Sequence, residues 1–127
     1  MTRFWFITLP SAFAMGSAIL AAIAQPAEDY ASWPVLTNPF ESTGGGGVMI
    51  DNYAPVVDGP LCRTDFTVRL PAPGSESVKN EVEFDAIPTS GGVLCTNGRW
   101  RAKDGSASGT TPFRVFIKDG IVHRPPA

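Results

Sequence analysis

Two stretches decide the fold: Leu61-Cys-Arg-Thr-Asp-Phe-Thr-Val-Arg-Leu70 and Val78-Lys-Asn-Glu-Val-Glu-Phe-Asp-Ala86. In the first, Cys62, Thr64, Phe66, Val68 and Leu70 alternate with Arg63, Asp65, Thr67 and Arg69. In the second, Val78, Val82, Phe84 and Ala86 alternate with Lys79, Glu81, Glu83 and Asp85, and Asn80 alone interrupts the apolar series. Successive side chains of a strand point to opposite faces, so this pattern predicts two half-buried strands, each with one wet face. Pro71-Ala-Pro-Gly-Ser75 between them has turn chemistry, which predicts antiparallel pairing. Glu81, Glu83 and Asp85 then belong to the solvated face, and alternation accounts for them without acid–base chemistry.

Working outward, Val93–Thr96, Asn97-Gly98 and Arg99–Ala102 read as a hairpin, because Asn-Gly tolerates the positive φ angles of a type I′ turn. That register sets Cys95 opposite Trp100, with the indole covering the sulfur, and sends Leu94, Thr96, Arg99 and Arg101 to the other face. Phe113–Lys118, Asp119-Gly120 and Ile121–Arg124 read as a second hairpin, opposing Lys118 to Ile121, Ile117 to Val122 and Phe116 to His123. Its buried face is Phe113, Val115, Ile117 and Val122; its other face is Arg114, Phe116, Lys118, Ile121 and His123.

Lys103–Thr111 is a Gly/Ser/Thr-rich loop, and Val48–Val57 is a short strand broken before Pro55. No helical periodicity follows Ala24. Five to seven short strands between turn signals predict an all-β domain, a small antiparallel sandwich or partly open barrel.

The N-terminus has a different character. Arg3 is followed by an uncharged apolar run from Phe4 to Ala24 that ends in Ala22-Ile23-Ala24. This is the pattern of a secretory signal peptide, residues 1–24, cleaved after Ala24. About 20 apolar residues also suffice for a membrane anchor, but Pro10, the many small residues and the cleavage triplet favour removal. Residues 25–47 form a Pro/Gly-rich flexible segment ending in Gly44–Gly47, with Tyr30, Trp33 and Phe40 apolar enough to dock part of it on the domain. The domain itself is assigned to residues 48–127.

Cys62 and Cys95 are the only cysteines, and both follow the leader. In an exported chain of this size the pair reads as a structural disulfide. Redox chemistry favours Cys-x-x-Cys, and two thiolates with one histidine make a poor metal site. Asp51, Asn52 and Asp58 miss the spacing of an EF-hand calcium loop.

No cofactor motif is present: Gly44–Gly47 lacks the Lys-Ser/Thr of a phosphate loop. Gly105-Ser-Ala-Ser-Gly109 lacks the flanking glycines of a nucleophile elbow.

Net charge is −2, unevenly distributed. Gln25–Asp85 carries ten acids and three bases, and Ala86–Ala127 carries six bases and two acids. Either the surface is electrically two-sided or strand pairing interleaves the signs. The first alternative nominates Arg99, Arg101, Arg114, Phe116, Lys118 and His123 as a basic, partly apolar patch. Its partner outside the cytoplasm would be an anionic envelope polymer, a lipid surface or an acidic protein rather than nucleic acid. The functional expectation is therefore an exported, non-enzymatic binding module of the cell envelope. A structural or assembly component of the envelope is the next reading. A small hydrolase using His123 with Asp119 is the least supported.

Overall fold

The computed structural model describes residues 28–42 and 44–126. The leader expected over residues 1–24, and its expected cleavage after Ala24, lie outside the described residues. Among the described residues no helix is long and apolar enough to cross a membrane.

Among the described residues a 3₁₀ turn, Tyr30–Ser32, precedes nine strands. They are β1 (Phe40–Glu41), β2 (Met49–Asp51), β3 (Val56–Asp58), β4 (Leu61–Arg69), β5 (Val78–Thr89), β6 (Gly92–Ala102), β7 (Ser108–Thr111), β8 (Val115–Lys118) and β9 (Ile121–His123). They form one antiparallel sheet in the order β1-β2-β4-β5-β6-β8-β9, curled into an open half-barrel. β3 lies beside β2 on the same edge of β4, and β7 lies beside β8 on the same edge of β6.

The alternating stretches behave as their pattern dictates. β4 and β5 pair antiparallel, with Cys62 opposite Phe84 and Val68 opposite Val78. Cys62, Phe66, Val82 and Phe84 are buried on the concave side. The Asp119-Gly120 hairpin has the anticipated register, pairing Lys118 with Ile121, Ile117 with Val122 and Phe116 with His123.

Asn97-Gly98 is not a turn. β6 runs straight through it, and the pairing with β5 steps from Glu83↔Arg99 to Asp85↔Thr96. One extra residue is thus absorbed on β6 as a bulge, and the positive φ of Asn97, 56°, serves the bulge. Gly98 is needed for space rather than for turning. A Cβ there would lie 2.5 Å from Thr111 Cγ2 and 3.0 Å from Phe84 Cε2.

The hairpin turn is Ser90-Gly91, with φ of 51° and 80°, joining Thr89 to Gly92. Pro88 obscures it, since proline inside a run reads as the end of a strand.

The bulge shifts the side-chain parity, so Cys95 and Trp100 still share the concave face, as anticipated, although they sit on one strand. Trp100 pairs with Val82 and is not a lid across a turn from Cys95.

Two further corrections follow from pairing. Ser108–Thr111, read as loop, is strand β7 against Gly98–Arg101. The stretch Val48–Val57 supplies β2 and the start of β3; this extra strand offsets the merger of two expected strands into β6, and β1 and β7 bring the described strands to nine.

The disulfide joins Cys62 to Cys95, with Cα atoms 6.0 Å apart. β4 and β6 are separated by β5, so in a flat sheet these atoms would be at least about 9.5 Å apart, two strand spacings. The bridge therefore spans the inside of a strong curl. Both cysteines are fully buried, with Phe84 and Val115 beside them in register.

The segment read as a flexible tether is part of the fold from Tyr30 onward. Leu36 donates its amide to the Val122 carbonyl, and Arg124 donates its amide to that of Pro34. Val35 bridges to His123 on β9, and a few residues later β1 pairs with β2. One short piece of chain thus covers β9 and caps β2, the two extremities of the sheet, which would otherwise present unpaired edges. The burial of Trp33, Leu36 and Phe40 provides the driving force.

Candidate binding cleft

The convex face carries the residues that charge distribution singled out. Arg99 donates to Asp85 at 3.0 Å, to Glu83 at 3.3 Å and to the Asn97 carbonyl at 2.8 Å. Arg101 pairs with Glu81, Lys103 with Asp65 at 2.8 Å, and Arg63 with both Asp58 and Glu83 at 3.3 Å. These pairs run across β4, β5 and β6, so antiparallel pairing interleaves the acidic and basic halves of the chain.

The electrostatics follow from this pairing. The Asp85 carboxyl is held below the usual aspartate range by its hydrogen bond from Asn97 and then by Arg99. Asp85 in turn raises the Arg99 guanidinium, and Asp65 raises the Lys103 ammonium. The shallow trough over this ladder has Arg63, Arg99 and Arg101 against Asp65, Glu81 and Glu83. Its charge is balanced, which gives no net field for an anion.

Three of the remaining nominated residues, Arg114, Phe116 and His123, hold the N-terminal segment in place. Phe116 is fully buried, stacked on Tyr30 at 5.4 Å and clustered with Trp33 and Leu94. It is therefore absent from any exposed aromatic patch. Its outward direction was legible, but the segment that covers it was not. The Arg114 guanidinium lies 5.2 Å over the Trp33 ring and 3.6 Å from Glu28.

His123 Nδ1 sits 2.7 Å from the Trp33 carbonyl. A carbonyl only accepts, so Nδ1 carries the hydrogen and donates. Lys118 stands at the Asp119-Gly120 turn, half-buried. Arg99 and Arg101 thus belong to the ion-pair ladder, while Arg114, Phe116 and His123 belong to the contact with the N-terminal segment.

The concave face holds a different feature, a cleft of about 420 Å³. Val68, Val78, Val82 and Ala102 form its floor. Phe40, Tyr53, Phe66 and Phe113 form an aromatic wall, with Tyr53 edge-on to the other three at centroid distances of 5.2–5.9 Å. The Arg124 guanidinium stacks behind Phe40 and Phe113, at 5.1 and 5.5 Å. Ser106, Ala107, Thr110 and Thr111 mark the rim. Among the described residues no Lys, Arg, His, Asp or Glu lines the cleft.

Besides the hydroxyls of Ser42 and the rim, two buried polar side chains line the cleft, Tyr53 and Asn80. Tyr53 is 4% exposed and is fixed through its backbone. Its amide donates to Asn38 Oδ1 at 2.9 Å, and its carbonyl accepts from Asn38 Nδ2 at 3.1 Å. The Tyr53 hydroxyl has no hydrogen-bond partner among the described residues, and burial pushes the phenol pKa up.

Asn80 is 5% exposed on β5, and its Nδ2 donates to the Val78 carbonyl at 3.2 Å. Its Oδ1 has no partner among the described residues. Sequence patterning marked Asn80 as the break in the inward series without assigning it a role. A lone polar residue in an apolar ladder was the available signal.

Among the described residues no three His, Cys, Asp or Glu side chains are grouped to hold a metal ion. The chain matches no protein-family model, and comparison with curated proteins and with solved structures finds none similar to it.

Proposed function

We propose that this protein is an exported, non-enzymatic binding protein whose ligand site is the apolar cleft on the concave face of the half-barrel. The observation that carries this reading is an uncharged concavity of about 420 Å³ with two buried polar side chains on its surface. Small-molecule sites have this character: mostly apolar walls, a few placed polar groups and volumes of roughly 300–1,000 Å³. Export is supported by the leader pattern and by the buried disulfide, which belongs to an oxidising compartment. The balanced convex ladder lends no such support to an anionic partner.

The test is binding of a neutral, environment-sensitive dye to the oxidised protein. Ala107→Trp places an indole at the rim and is expected to weaken dye binding at least tenfold, with an unchanged unfolding midpoint. Arg99→Glu with Arg101→Glu is expected to leave it unaltered. Dye binding that survives the rim substitution, or that follows the arginines instead, refutes the cleft as the site.

A further inference from the structure

We infer that the cleft takes a neutral amphiphile: an apolar chain of about ten to twelve carbons whose uncharged carbonyl, amide or hydroxyl head hydrogen-bonds the Asn80 carboxamide. This deepens the cleft reading and rests on it.

Three observations converge. First, Asn80 occupies the concave face of β5 between Val78 and Val82, opposite Phe66 on β4 and Ala102 on β6. Every neighbour in register is apolar. A branched aliphatic side chain there would continue the series, whereas a buried acceptor without a partner destabilises the fold. Among the described residues the carboxamide oxygen and one N–H have no partner, so the group can both accept from and donate to a single polar head. The Tyr53 hydroxyl, equally buried and without a partner among the described residues, offers a second contact.

Second, the charge of the head is restricted. A carboxylate or phosphate carried into the cleft meets no cation among the described lining residues, and an unpaired buried charge is strongly unfavourable. The guanidinium of Arg124 stands behind the aromatic wall rather than in the cleft.

Third, the volume sets the size. At the ~30 Å³ that one water occupies in the liquid, 420 Å³ holds about 14 non-hydrogen atoms. That number fits a medium-length chain with a small head.

The experiment uses the oxidised full-length mature protein with decanamide, decanol and decanoate as probes at pH 8, read by displacement of the same neutral dye. Decanamide and decanol are expected to displace it, with decanoate at least tenfold weaker. Asn80→Leu is expected to lower the affinity for decanamide about tenfold relative to the affinity for the dye, each measured on the same variant. The same variant is expected to unfold at a higher temperature, since it removes the unpaired acceptor. Tyr53→Phe, which keeps the ring, provides a second variant with a smaller loss of decanamide affinity.

Decanoate binding as tightly as decanamide, or decanamide affinity indifferent to both substitutions, overturns the inference and leaves the cleft reading standing. Failure of the dye itself to bind overturns both.

Discussion

Removing the disulfide tests how the half-barrel is held. The perturbation is the double variant Cys62→Ala/Cys95→Ala, compared with the oxidised protein. The bond joins residues 33 apart and so closes a loop of 34 residues. In the chain-entropy treatment such a loop restricts the unfolded chain by about 12.6 cal/mol/K, or about 3.8 kcal/mol at 25 °C. Both cysteines are fully buried, so each alanine also leaves a small void that adds to the loss.

Against a stability of roughly 5–15 kcal/mol for a domain of this kind, the variant keeps only part of its margin. With a urea slope of about 1.5 kcal/mol/M, the midpoint is expected to fall by about 2.5 M. Tryptophan fluorescence and far-ultraviolet circular dichroism measure it, with reductant-treated wild type as a second arm. A midpoint shift below about 0.5 M, at unchanged slope, refutes the cross-link as a principal constraint.

The geometry adds a second readout. The bridge holds Cα atoms of β4 and β6 at 6.0 Å where a flat sheet would place them at least about 9.5 Å apart. If the bond maintains the curl, dye affinity falls in the variant even without urea. Lost stability with unchanged affinity would assign the curl to the β6 bulge and core packing instead.

Two other perturbations probe the convex face. Phe116→Ala removes a fully buried ring that stacks on Tyr30, and is expected to lower stability by about 3–5 kcal/mol. It should also expose the segment around Trp33 to limited proteolysis while β4 and β5 stay protected from hydrogen exchange. Equal loss of protection everywhere would contradict a separable strap. The Asp85 carboxyl, depressed by Asn97 and Arg99, is expected to titrate below an ordinary aspartate by NMR and to rise toward it in Asn97→Ala. A carboxyl with a depressed folded-state pKa stabilises above its unfolded pKa, and that contribution is lost as pH falls through the folded value. The effect is confined to acid pH and weakened by solvent screening, because the pair is exposed. An Asp85 titration unmoved by Asn97→Ala would refute the assigned cause.

Much of the architecture was legible because alternation is a local property. Leu61–Leu70 and Val78–Ala86 state their own inward and outward faces, and Asp119-Gly120 states its own turn. The cysteine pair was legible from number and compartment alone. The same local reading erred at Asn97-Gly98, because a positive φ suits both a type I′ turn and a bulge, and the choice between them depends on β5 continuing alongside. It erred at Phe116 because direction on a strand says nothing of what covers that face. Tyr30 and Trp33 cover it, brought there by a segment more than 80 residues away in the chain.

The amino-acid order by itself therefore determined the all-β class, the two central strands, the last hairpin and the cross-link, since each depends on short-range periodicity or residue count. Tertiary structure alone decided that the opposite charges neutralise one another across the sheet. It also decided that the N-terminal segment caps both extremities of the sheet and that the apolar cleft lies on the face opposite Arg99 and Arg101. Those outcomes depend on strand order and curl, which bring together residues distant along the chain that no local pattern relates.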